Sequence, residues 1–181
     1  MRFRVTDPTT EDSVSHIVRE WRRERPDFDA GPIGVFARIL RLSGALSQRT
    51  KAWLDEEGLS WEAFSLIVTL RRQGAPYRMR PSSIIRESLL TSGAVTNRID
   101  RVEKLGLVER APDPDDRRAV SVQLTEAGLE KADAAIAAHV SHLHEVLEPL
   151  GEEQLEDLDR LLTAALSMIE TENGSADQGP R

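Results

Sequence analysis

The sequence predicts a mainly α-helical protein with one small β-hairpin. Apolar residues recur every three or four positions over most of the 181 residues, which is the period of helices that bury one face. The period changes to two over residues 107–111 and at Val120, Val122 and Leu124, and this alternation predicts two strands. The segment between these two strands is rich in proline and aspartate, as expected for a hairpin with a long charged turn.

Two helices are predicted before residue 59. The first spans about 12–25 and ends at Pro26, and it forms an N-terminal extension over residues 1–31. The second spans about 32–57, with Pro32 in its first turn and Gly58 as the C-terminal stop.

The middle of the chain predicts a helix-turn-helix. Ser60 caps a helix that ends at Gly74, Pro81 opens a short helix, and Thr91 or Ser92 caps another that runs to about residue 105. Two short helices with a tight connection are typical of a helix-turn-helix. With the hairpin that follows, residues 59–125 are predicted to form a winged helix-turn-helix.

The C-terminal third predicts two long helices. Thr125 caps the first, Pro149 and Gly151 separate it from the second, and the tail over 172–181 has too little apolar surface to fold. The apolar stripes of residues 32–57 and 126–171 need to be covered, and interlocking with a second copy of the chain covers them. We therefore expect one domain over 32–171 whose end helices form a homodimer.

Charge is distributed unevenly along the chain. The net charge is −7, yet residues 71–118 hold eleven basic and seven acidic residues and carry +4, which leaves −11 elsewhere. Binding to DNA depends on local arginine and lysine rather than on net charge. The central segment is therefore expected to contact double-stranded DNA.

Several other classes of protein are disfavoured. The chain has no cysteine, its apolar runs are shorter than the roughly 20 residues of a membrane span, and it begins without a secretory stretch. We expect a cytoplasmic protein with no membrane partner. No glycine-rich phosphate loop and no nucleophile motif is present, so the sequence predicts neither an enzyme nor a bound cofactor.

The helix that begins near Ser92 has two distinct faces. Val95, Ile99 and Val102 lie within about 40° of one another on a helical wheel and are expected to be buried. Asp100 faces outward, where it either accepts a hydrogen bond from cytosine or orients Arg101. The opposite face holds residue types that contact bases or phosphates, although an ordinary solvated face is the alternative; they are Ser92, Thr96, Asn97, Arg101 and Lys104.

The turn of the hairpin places Arg117 and Arg118 beside Asp115 and Asp116. An arginine projected from a stiff ribbon suits the negative potential of a narrow minor groove, and a nearby carboxylate can orient its guanidinium. The alternative is a surface ion pair that contributes about 0–1 kcal/mol.

The stretch TSGAVTNRIDRVEKLGLVERAPDPDDRRAVSVQLTEAG resembles the recognition helix, wing and following helix of the MarR family of bacterial regulators. The resemblance implies dimers that bind a pseudo-palindromic operator and are released by a small, often aromatic, anionic effector. It also implies that Arg118 enters the minor groove and that Asp116 orients it.

The N-terminal extension is similar to that of the urate-responsive and PecS-like branch. The resemblance assigns Trp21, Arg98 and Arg110 to an effector site, with Ser65 where the branch has an aspartate. A serine cannot supply that carboxylate, which argues against urate itself. Alternatively, Trp21 is a packing anchor, and Arg98 binds a phosphate or pairs with Glu103 or Glu109.

The predicted function is sequence-specific transcription regulation, as a repressor released by a small anionic or aromatic effector. One alternative is an architectural protein that binds DNA without regard to sequence, although the acidic net charge disfavours it. The other is a metal-binding enzyme that uses His139 and His142, one turn apart near Glu145.

Overall fold

The computed structural model describes residues 11–88, 92–114, 116 and 118–176, apart from the side chains of Ser88, Ser92 and 172–176. The chain divides into two units, residues 1–65 and 66–181, and each is described by itself. In chain order the elements are α1 (Ser15–Glu24), α2 (Gly31–Glu56), α3 (Trp61–Arg72), β1 (Arg78–Met79), α4 (Pro81–Ser88), α5 (Ser92–Lys104), β2 (Val108–Pro112), β3 (Val120–Leu124), α6 (Glu126–Leu147) and α7 (Gly151–Ala176), with a 3-10 turn, Glu148–Leu150, between α6 and α7.

In the first unit, α1 packs closely on the beginning of α2. Val14, Val18 and Ala30 are buried together. Gly34 permits the approach, because a Cβ atom at this position would lie only 2.8 Å from a Val18 methyl group. The predicted extension is therefore a helix that shares a small apolar core with the beginning of α2.

Asp12 holds the beginning of α1 against α2. Its carboxylate accepts the backbone N–H groups of Val14 and Ser15, each at 2.9 Å, and the Nε–H of Arg38 in α2 at 2.6 Å. The Arg38 guanidinium holds the pKa of this carboxyl well below its usual range. A carboxylate that is ionised at neutral pH thus links the beginning of α1 to α2.

The second unit contains a three-stranded antiparallel sheet in the order β1-β3-β2. β2 and β3 form the predicted hairpin, in register from Val108 opposite Leu124 to Pro112 opposite Val120. β1 pairs with the other edge of β3 and was not predicted. Its two residues are too few to show an alternating pattern.

In the second unit, α5 buries the face that the sequence predicts, and α6 begins at the predicted cap. Val95, Ile99 and Val102 of α5 are each only 1% exposed. Thr125 caps α6 by accepting the N–H of Gly128 at 2.9 Å, and its hydroxyl donates to the Gly106 carbonyl at 2.7 Å. A Cβ atom at Gly128 would lie 1.8 Å from the Leu107 carbonyl oxygen, so α6 begins in tight contact with the chain that enters β2.

Apolar side chains remain exposed on the long helices, including Phe36 and Leu40 of α2 and Leu162 and Leu166 of α7. Despite these faces, none of the described helices has the length and apolar composition that a membrane crossing requires. α7 continues to Ala176, so the predicted disordered tail was wrong for residues 172–176. Residues 177–181 lie outside the described residues.

Candidate nucleic-acid interface

The exposed side of α5 is polar and basic. Thr96, Asn97, Arg101 and Lys104 are all exposed, opposite the buried row that begins with Val95. They therefore lie where the sequence predicts them. The side chain of Ser92, the fifth residue of the predicted set, lies outside the described residues.

Arg110 of β2 fixes the wing to α5. Its guanidinium donates hydrogen bonds to the carboxylates of Asp100 and Glu103, and its backbone N–H donates to Glu103 at 3.1 Å. Asp100 chiefly, with Glu103, raises the pKa of the Arg110 guanidinium. Among the described residues, the partner of Asp100 is thus Arg110 and not Arg101.

The turn between β2 and β3 carries Arg118 on its exposed side. The Asp116 carboxylate accepts the backbone N–H of Arg118 at 3.0 Å. The resemblance implied that Asp116 orients the Arg118 guanidinium, but no ion pair between these two side chains is found within the described part of the turn. Asp116 shapes the backbone instead. Arg117, also predicted to bind DNA, lies outside the described residues.

Asp113 occupies the base of the same turn and is buried. Its carboxylate accepts two hydrogen bonds from the Arg80 guanidinium, at 2.9 and 2.6 Å, and one from the Ser121 hydroxyl at 2.5 Å. In the sequence, Asp113 is only one of the proline and aspartate residues that predict the turn. Its position between Pro112 and Pro114 gave no sign of a partner 33 residues earlier in the chain.

A groove of about 420 Å³ between α4 and the wing is lined by three arginines. The Asp113 carboxylate neutralises Arg80. Arg78 donates to the Gln123 side chain and Arg86 to the Ser83 hydroxyl, both of which are neutral groups. Glu87 also lines the groove, and its carboxylate pairs with Arg72. Neither Arg78 nor Arg86 forms an ion pair within the described structure, so the groove carries uncompensated positive charge.

The four residues proposed for an effector site are divided between the two units. In the first unit, Trp21 packs only in part: its side chain is 43% exposed, and its ring lies 5.9 Å from that of Phe28. Ser65 of α3 belongs to the same unit and is half-buried. In the second, Arg110 is bound by acidic residues, and the Nε of half-buried Arg98 has no hydrogen-bond partner among the described groups. Their role in binding an effector stays a prediction.

Neither acidic partner suggested for Arg98 is paired with it. Glu103 binds Arg110, and Glu109 accepts a hydrogen bond from Gln123 at 2.5 Å. The phosphate-binding alternative for Arg98 is thereby retained.

The histidines of α6 form no recognisable metal centre. Burial first, and then the charge of His142, lowers the pKa of His139. Across the described ranges, no group of three or more histidine, cysteine, aspartate or glutamate side chains is arranged to hold a metal ion.

Comparison with known proteins gives a consistent result. Residues 59–120 match the model of the MarR family. The HTH-type transcriptional regulator PecS of Dickeya dadantii (strain 3937) is 36% identical over 149 residues, which cover 82% of this chain and 90% of PecS.

Two solved structures have the same fold. AbsC, a MarR family transcriptional regulator from Streptomyces coelicolor, superposes with a TM-score of 0.68 at 25% identity, over 76% of this chain and 93% of AbsC. A mutant of MarR from E. coli, solved in complex with operator DNA, superposes with a TM-score of 0.63 at 20% identity, over 81% of this chain and 97% of that one. The predicted winged helix-turn-helix fold is confirmed, and the chain belongs to the MarR family of transcription regulators.

Proposed function

We propose that this protein is a homodimeric, sequence-specific DNA-binding regulator that represses transcription until a small anionic or aromatic effector releases it. The observation that carries the proposal is the exposed polar and basic face of α5, which the Arg110 ion pairs join to the wing that bears Arg118. A helix and a ribbon held together in this way fit adjacent major and minor grooves.

The charge of the groove between α4 and the wing supports contact with the DNA backbone. Arg78 and Arg86 line it, and their hydrogen bonds go to neutral groups. Contacts with phosphates orient a protein on the duplex, while base edges supply the sequence preference. In this proposal Asn97 and Arg101 contact the bases, and the arginines of the groove contact the DNA backbone.

The exposed apolar rows support a homodimer. Large apolar surfaces of this kind on a regulator are typical of protein interfaces. A two-fold dimer would present two copies of α5 to half-sites about one helical turn apart. The large exposed apolar side chains of the long helices are Val35, Phe36, Ile39, Leu40 and Leu42 on α2, Val140 and Leu143 on α6, and Leu155, Leu161, Leu162, Leu166, Met168 and Ile169 on α7.

Release by an effector is proposed from the cationic residues near α5. Arg98 is half-buried on α5, and Arg110 joins β2 to α5. An anionic ligand that binds either guanidinium would bias the position of α5. Linkage then requires the ligand to bind the DNA-free conformer more tightly than the DNA-bound one.

The first test is a selection of duplexes from a random library, followed by competition of the selected duplex against bulk DNA at one stated salt concentration. We expect a palindromic consensus and a specificity ratio of about a thousand or more. Equal affinity for the selected duplex and for bulk DNA would support the architectural alternative.

The second test addresses the effector. Metabolites of the pathway encoded beside the bound genomic fragments are screened for thermal stabilisation of the protein and for release of the selected duplex. A ligand that acts as effector does both. A stabilising ligand that leaves DNA affinity unchanged is not the effector.

A further inference from the structure

The base of the wing holds a charged side chain that neither the helix-turn-helix nor the predicted DNA contacts require. The Asp113 side chain is only 5% exposed, whereas its partner Arg80 is 43% exposed. Burial of a carboxylate is costly unless charge and hydrogen bonds compensate it. The environment of Asp113 is therefore specific to a carboxylate.

Within the described part of the chain, donors to this carboxylate come from three separate segments. Arg80 precedes α4 and binds both oxygens, Ser121 lies in β3, and the backbone N–H of Asp116 in the turn donates at 3.2 Å. The carbonyl of Arg80 also accepts the N–H of Ser83 at 2.9 Å and so belongs to the first turn of α4. One carboxylate thus joins the beginning of α4 to both sides of the wing.

A series of backbone hydrogen bonds connects Asp113 to Arg118. The Asp113 N–H donates to the Ala119 carbonyl at 3.0 Å, and the Ala119 N–H donates to the Asp116 carbonyl at 2.9 Å. Asp116 in turn accepts the N–H of Arg118 at 3.0 Å. The backbone that carries Arg118 is therefore fixed on both sides by residues bound to Asp113.

We infer that Asp113 is a positioning residue for DNA binding: through Arg80 it fixes the wing to α4, so that Arg118 meets the minor groove in one orientation. The inference rests on the proposed function. Asp113 itself contacts no DNA, because its carboxylate is enclosed and its charge would repel phosphate. Its effect on affinity passes through Arg118.

Two conservative variants test the pair from either side. Asp113→Asn keeps the size of the side chain and removes its charge. Arg80→Lys keeps the positive charge but loses the planar fork that binds both carboxylate oxygens. If Asp113→Asn does not fold, Arg80→Lys alone tests the pair. Thermal unfolding of each variant shows whether the protein used in the binding assays is folded.

The binding experiment is a double-mutant cycle on the selected duplex. In the wild-type background, each variant is expected to weaken binding about tenfold. In the Arg118→Ala background the same changes should alter affinity by no more than about twofold, because the side chain that Asp113 is inferred to position is then absent. In the Asn97→Ala background the tenfold loss should persist. Equal losses in all three backgrounds, or no loss in the wild type, would overturn the inference.

Hydrogen exchange of the DNA-free protein separates this inference from the proposed function. The backbone amides of residues 116, 118 and 119 should exchange faster in Asp113→Asn, while those of Val95 and Ile99 in α5 keep their rates. Unchanged exchange in the wing overturns the positioning role. If the wild type prefers no duplex over bulk DNA, the proposed function fails, and the exchange result alone decides whether Asp113 holds the wing.

Discussion

The guanidinium of Arg110 in β2 binds the carboxylate of Asp100 in α5. The same guanidinium contacts Glu103, one turn closer to the end of the helix. One cation of the wing thus binds two acidic side chains on the helix that is proposed to face DNA and compensates one of their two charges. This contact and the Asp113–Arg80 pair fix the wing to α5 and to α4 respectively.

Replacement of Arg110 should weaken operator binding even if Arg110 touches no DNA. Arg110→Ala leaves Asp100 and Glu103 without their cation beside the phosphate backbone, and we expect a loss of roughly 1–3 kcal/mol in binding free energy. Fluorescence anisotropy with the selected duplex at several salt concentrations measures the loss.

A charge-matched control separates repulsion from direct contact. In the double variant Arg110→Ala, Asp100→Asn, the cluster keeps the net charge of −1 that it has in the wild type, so part of the affinity should return. If the double variant binds as weakly as Arg110→Ala, repulsion is not the cause, and Arg110 contributes through DNA or through the wing alone.

Arg118→Ala should weaken operator binding by roughly 1–3 kcal/mol without changing the thermal stability of the protein. The side chain is exposed and its backbone is held by Asp116, so its removal deletes a contact and leaves the turn intact. Titration of the selected duplex measures the effect. Arg160→Ala, which removes an exposed arginine of α7, is the control with equal charge change and should bind as the wild type does. Unchanged affinity for Arg118→Ala at moderate salt would remove the wing from the mechanism.

The sequence predicts those parts of the fold that depend on local spacing. The buried row on α5 and the caps at Ser60 and Thr125 follow from residues within a few positions of one another, and the structure confirms them. Helix period and capping are local properties. The fold class could therefore be predicted from the sequence.

Features that depend on contacts between distant residues were not predicted. β1 has only two residues and exists because β3 offers it a free edge. Arg80 lies 33 positions before Asp113, and no period or motif links them. Asp116 was expected to bind the Arg118 guanidinium, but in the tight turn its carboxylate reaches the backbone N–H of Arg118. Tertiary geometry decides such pairings.

Asn97→Ala and Arg101→Ala should each relax base preference at particular operator positions. Asparagine can bind adenine and arginine can bind guanine through two hydrogen bonds, and each such pair contributes about 1–3 kcal/mol of discrimination. Repeating the duplex selection with each variant measures the change position by position. A uniform loss of affinity over all sequences, with an unchanged consensus, would identify a phosphate contact instead.

Leu166→Asp should shift the protein from dimer to monomer. Leu166 is 57% exposed on α7, and a carboxylate within an apolar interface is strongly unfavourable. Light scattering coupled to gel filtration gives the mass directly. Glu170→Gln, on the same helix and also exposed, is the control and should remain dimeric. A Leu166→Asp protein of dimeric mass would place the interface elsewhere.

The docking of α1 on α2 should depend on pH through Asp12. The pKa of this carboxyl is lowered in the folded chain, mainly by Arg38, so the unfolded state binds more protons between the two pKa values and stability there rises with pH. The contribution is complete above the unfolded value of about 3.9 and declines as the pH falls below it. Asp12→Asn should therefore be less stable than the wild type at pH 7, and the difference should shrink steadily below about pH 4.

Urea unfolding followed by circular dichroism at several pH values measures this difference in the free energy of unfolding. Asp27→Asn is the matched control. Its exposed pair with Arg25 also lowers the pKa of the carboxyl, but the two residues are close in sequence and hold no helices together, so little stability is at stake. A difference between Asp12→Asn and the wild type that is the same at pH 3 as at pH 7 would show that the ionised carboxylate does not hold α1 in place, and that the buried contacts of Val14 and Val18 do so alone.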